Sequence, residues 1–149
     1  MLPVRHPVLE SKFPQLSITG YKITSPSTPS YNCIAWAAKD DTRFWWPRDD
    51  EDGYYWPDGI EKKETIEVFI EAYRSVGFDI CDNADFDNHY EKIAIYVNSN
   101  GVPTHGARML DEKTWTSKLG QSFDISHTID GLNGDEYGSP KVFMRRKLV

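Results

Sequence analysis

The sequence predicts an α+β domain in which N-terminal helices pack on a mostly antiparallel sheet. Three observations lead there. A short apolar run, Cys33-Ile34-Ala35-Trp36-Ala37-Ala38, follows a turn-forming stretch of Pro and Ser. Further on, Ile66, Phe69, Ile70 and Tyr73 recur at helical spacing with charged residues between them. After residue 90 the chain reads as short strands joined by turns, the clearest turn being Asn98-Ser99-Asn100-Gly101. Helices followed by hairpin-linked strands is an α+β order.

Residues 1–30 carry five prolines and few periodic apolar positions, and read as an extended arm over a single domain spanning 1–149. Ser30 or Asn32 can cap the helix that follows, since a short polar side chain satisfies the free N–H groups of a first turn. That helix ends near Lys39. An aromatic loop comes next, from Phe44-Trp45-Trp46-Pro47 to Tyr54-Tyr55-Trp56-Pro57. The second helix starts at Thr65 and stops at Gly77, a residue free to take the left-handed C-terminal conformation. Cys81 to Asn88 is polar and Asp-rich, a loop. Strands are expected over Lys92–Val97, Val102–Leu110, Thr114–Leu119 and Lys141–Arg146, the first two joined by the Asn-Gly turn.

Composition narrows the function. The chain is acidic, with a net charge of −6, and only Arg145-Arg146-Lys147 gathers basic residues. That argues against nucleic acid, whose phosphates require a basic face. No apolar run is long enough for a secretory signal core or a bilayer span, so no membrane partner is expected and the expected location is cytoplasmic. Two cysteines make no disulfide framework in a chain of this length. Cys33, Cys81, His89, His105 and His127 lack the paired spacing of zinc ligands, and Asp82–Asp87 lacks the Gly and closing Glu of a calcium loop. Neither a metal nor a cofactor is expected.

The chemistry centres on Cys33. At the start of a helix, unsatisfied N–H groups and the positive end of the dipole favour thiolate over thiol. The same N–H groups can hold an oxyanion. The competing reading makes Cys33 a small core residue. A thiolate nucleophile needs an imidazole in reach, itself oriented by a polar group. His105, beside Gly106 on a strand, is the candidate base, and Asp124 the candidate orienting carboxylate. A core histidine and a turn or capping aspartate are the competing readings. Lys118 could neutralise a substrate carboxylate, although a solvated lysine is the simpler expectation.

Tyr31-Asn32-Cys33-Ile34-Ala35-Trp36 resembles the nucleophile helix of papain-like cysteine hydrolases, in particular the NlpC/P60 and CHAP amidases. Tyr21, twelve residues upstream, matches a tyrosine of many NlpC/P60 members. Ile93–Val97 followed by Thr104-His105-Gly106-Ala107 resembles their central hairpin. That family's basic His opens the first strand of the hairpin, where this sequence has Glu91-Lys92. Either His105 takes over as base, with Asp124 or Glu91 orienting it, or the site is degenerate. The resemblance implies a papain-like fold and cleavage of an amide or isopeptide bond in a peptide, peptidoglycan or protein substrate. Asn32, Trp36, Trp46 and Trp56 would contact that substrate. Over nearly its whole length the chain also resembles a family of small proteins classed as a domain of unknown function, through Trp45-Trp46-Pro47, Tyr55-Trp56-Pro57, Pro103-Thr104-His105 and Trp115–Gly120 among others. The alternative function is a non-catalytic binding module that recognises a peptide, glycan or partner protein through the aromatic loop, which offers stacking surfaces.

Overall fold

A computed structural model describes residues 6–25, 30–48, 53–119 and 123–148. Its core is a seven-stranded sheet, antiparallel at every pairing, in the order β1-β6-β5-β4-β3-β7-β2. The strands are β1 (Tyr21–Ser25), β2 (Asp79–Cys81), β3 (Tyr90–Val97), β4 (Pro103–Met109), β5 (Trp115–Lys118), β6 (Asp124–His127) and β7 (Ser139–Lys147). The described helices are short: α1 (Pro7–Lys12), α2 (Leu16–Thr19), α3 (Cys33–Ala37) and α4 (Ile66–Arg74).

This overturns the expected papain-like α+β fold. The architecture is β-rich, a broad sheet with a few short helices laid on it rather than a helical half packed on a sheet. The physical reason lies in the first thirty residues. Where they are described, they are not an extended arm but α1, α2 and an edge strand, β1, which pairs with β6 from Tyr21↔His127 to Ser25↔Asp124. Residues 1–5 and 26–29 of the expected arm lie outside the described residues.

Two helix boundaries follow local chemistry. Asn32 caps α3, its side chain accepting from the Ala35 N–H. Thr65 caps α4 by accepting from Val68, and Gly77 takes a positive φ just beyond its end. Val68, Phe69, Ala72 and Tyr73 form the buried stripe of α4. The hairpin β3–β4 turns through Asn98, whose Oδ1 accepts from the N–H groups of Asn100 and Val102.

The sheet is buried on both faces. On one, α3, α4 and the aromatic loop pack against Ile93, Ile95 and Met144; on the other, Leu9, Phe13, Leu16 and Leu132 cover Ala94, Tyr96, Ala107 and Ile125. That is why β3 shows no polar alternation: Ile93 to Tyr96 are all fully buried. Gly106 marks the closest approach of α3. A Cβ there would lie 2.9 Å from the Tyr73 hydroxyl and 3.3 Å from Ala37 Cβ.

Candidate functional site

Cys33 is the first residue of α3, as expected, but it lies within the core and is only 7% exposed. Burial drives its pKa up to about 11, and the N–H groups of Gly106, Ile34 and Cys33 itself recover only part of that cost. A thiol with that pKa is about one part in ten thousand thiolate at pH 7. Iodoacetamide should therefore modify Cys81, half-buried on edge strand β2, well before Cys33 in the native protein. Peptide mapping that found Cys33 labelled first at neutral pH would contradict the buried, protonated thiol.

His105 is not brought to the thiol. Successive side chains of a strand point to opposite faces. Because Gly106 faces Ile34, Ala37 and Tyr73, His105 faces away from α3. Its ring stacks on Tyr137, with centroids 4.1 Å apart, and meets Tyr96 edge-on. Its Nε2 is 2.9 Å from Ser117 Oγ, and its Nδ1 has no hydrogen-bond partner among the described residues.

Ser117 in turn lies 2.7 Å from His127 Nε2, and His127 Nδ1 lies 2.6 Å from the Thr128 carbonyl oxygen. A carbonyl only accepts, so Nδ1 of His127 carries the proton and Nε2 accepts from the Ser117 hydroxyl. Ser117 Oγ then accepts from Nε2–H of His105. The result is a one-way chain of donors from His105 to Thr128, with both imidazoles neutral. Burial, and secondarily the proximity of His127, holds His105 well below its ordinary value; burial lowers His127 to about 4.

Asp124 lies on the α3 face, apart from either imidazole. Its Oδ2 accepts from the hydroxyls of Tyr31, at 2.5 Å, and Ser25, while Oδ1 is buried without a partner among the described residues. Burial, reinforced by this bond to Asp124, pushes Tyr31 up to about 12. Lys118 is Asp124's cross-strand partner and is fully buried, its ammonium 5.3 Å from the Tyr31 ring centre. Burial lowers the Lys118 pKa and the charge of Asp124 opposes that. The expected solvated lysine is thus a core residue, because the same alternation that buries Asp124 turns Lys118 inward. Glu91 is held by Lys39 and Arg146 instead of orienting an imidazole.

The expected substrate contacts all take part in the packing of the fold. Asn32 spends its side chain on the Ala35 N–H and on the backbone of Trp45. Trp36 stacks on Tyr31, carries Arg108 on its face and donates to Thr116. Trp46 packs edge-on to Phe69, and Trp56 is buried beside the same ring while donating to Glu61 O. The aromatic loop closes the core over α4; its residues 49–52 lie outside the described residues. Among the described residues, no group of three His, Cys, Asp or Glu side chains is arranged to hold a metal, and no helix is long and apolar enough to cross a membrane.

An open feature lies elsewhere. Where β1 begins, β6 ends and the β4–β5 turn folds over, there is a groove of about 490 Å³. Thr19 to Lys22 and Thr24 form one wall, Leu110, Asp111, Lys113 and Thr114 another, and Ser126, His127 and Thr128 the third. No motif announced it, because its walls come from three separate stretches of polar residues that look like ordinary surface.

A family model described as a domain of unknown function (DUF7689) matches residues 22–145. No curated protein and no solved structure matches the chain, and the likeness to papain-like hydrolases rests on its short motifs alone. The span of the family match reaches into all seven strands of the sheet, and the chain belongs to the DUF7689 family.

Proposed function

We propose that this chain is a non-catalytic binding module whose ligand occupies the groove at the end of the sheet. The observation that carries this reading is the separation of the reactive groups. Cys33 lies in α3 against one face of the sheet while His105 projects from the other, and both are buried. Covalent thiol catalysis needs nucleophile and base in hydrogen-bond reach at a site that substrate can enter. The groove has the opposite character: open to solvent and built from strand ends and a turn. Recognition of a peptide or glycan is then assigned to this groove instead of the aromatic loop, whose Trp45, Trp46, Tyr55 and Trp56 pack on the core.

The test is a titration of the isotopically labelled protein with a panel of short peptides and oligosaccharides, read at the backbone amides. A ligand of this site shifts residues 19–24, 110–114 and 126–128. Thr24→Trp, which places a bulky ring at an exposed groove position, should weaken binding at least about tenfold, the loss of roughly 1.4 kcal/mol. Cys33→Ala should leave binding intact. Hydrolysis of a panel member that disappears in Cys33→Ala would overturn the proposal in favour of thiol catalysis.

A further inference from the structure

We infer that the groove takes a ligand bearing an oxyanion group, a carboxylate, phosphate or sulfate; this deepens the binding reading and rests on it. The argument is one of charge and hydrogen-bond complementarity. Two ammonium groups line the groove from different walls, Lys22 on β1 and Lys113 on the β4–β5 turn. Among the described residues neither has a carboxylate partner.

The remaining donors complete the pattern. Ser126 is the cross-strand partner of Lys22, so its hydroxyl lies on the same face beside that ammonium. No described residue hydrogen-bonds it, and the Thr128 hydroxyl beyond it is buried without a partner. The acidic member of the lining, Asp111, is committed to the turn: its Oδ1 accepts the N–H groups of Lys113 and Thr114. Those N–H bonds hold its pKa below the ordinary carboxylate value. His127 contributes only a wall, since both of its ring nitrogens are already bound. Two cations and two free hydroxyls around a single carboxylate engaged by its own backbone form a donor-rich site, and donor-rich sites select acceptors that carry charge.

The probes are inorganic phosphate, glucuronate and, as the neutral counterpart, glucose, each titrated into the labelled protein at low and at physiological salt. At least one anion should shift the amides of residues 22–24, 111–114 and 126–128, more weakly as salt rises. The double variant Lys22→Gln/Lys113→Gln changes two exposed side chains and should fold normally. It should lose about tenfold or more in anion affinity, the scale of a charge-assisted hydrogen bond, with any glucose affinity unchanged. Glucose binding as tightly as glucuronate, or a double variant that binds the anions as well as the parent, overturns the oxyanion assignment while the groove remains a ligand site. Silence of the groove amides towards both anions overturns it too, and a ligand found in the same groove by the neutral peptides and glycans would still support the binding module.

Discussion

Acidification from pH 6.5 to 4 should destabilise the protein steeply, through two histidines rather than through its carboxylates. His105 and His127 are buried and neutral, and burial depresses both pKa values, that of His127 to about 4. The unfolded chain binds their protons from about pH 6.5 downward, whereas the folded chain does not until far lower pH. Stability is therefore complete above pH 6.5 and falls as pH drops toward the folded values. Each histidine costs about 1.4 kcal/mol per pH unit in that window, and His127 alone accounts for about 3 kcal/mol by pH 4. Against a typical total of about 5–15 kcal/mol this is a large fraction. Urea unfolding at half-unit pH intervals measures it, as a slope of nearly two protons taken up between pH 6 and 4.5. His127→Gln should lower that slope by one proton. A flat profile across this window would mean that the imidazoles are not sealed between the sheet and its cover.

A second large effect is expected at Gly138, where β7 begins against the end of β3. Its φ is +80°, and a Cβ there would lie 1.9 Å from the carbonyl oxygen of Val97 and 2.7 Å from its carbon. The obstacle is backbone, so no side chain can rotate away. Left-handed geometry costs an alanine about 1–2 kcal/mol, and overpacking adds about 1–3 kcal/mol or more. Gly138→Ala should thus lose about 3–5 kcal/mol and shift the neighbouring register Val97↔Ser139. Gly59 is the internal control. It has the same φ of +80° with nothing within 4 Å of a Cβ, so Gly59→Ala should lose only the conformational part, about 1–2 kcal/mol. Denaturation midpoints compare the pair, and equal losses would remove the contact with Val97 from the explanation.

How far the sequence could be read depended on how local the cause was. The apolar stripe of α4, the Asn32 cap and the Asn98–Gly101 turn are decided within a few residues of themselves, and each forms where its pattern places it. The strands β1, β2 and β6 escaped notice. Tyr21–Ser25 is an edge with only one paired side, and Asp79–Cys81 and Asp124–His127 are three and four residues long. Such segments gain little from intrinsic propensity and form because a neighbouring strand is already there.

For the site, the chain by itself settled which groups are present and where some of them fall along an element: Cys33 opening a helix, His105 on a strand, Lys118 one position from Ser117. Only the tertiary structure decided which side of the sheet each would meet. Strand alternation fixes a relative direction, but the identity of the two faces is set by which distant segments pack on them. With α3 against Gly106, His105 is turned to Tyr137, and Lys118 and Asp124 are turned inward together. The thiol and the imidazole, within reach of each other on the sequence's terms, are thereby separated by the thickness of the sheet, while three unremarked polar stretches meet to make a groove.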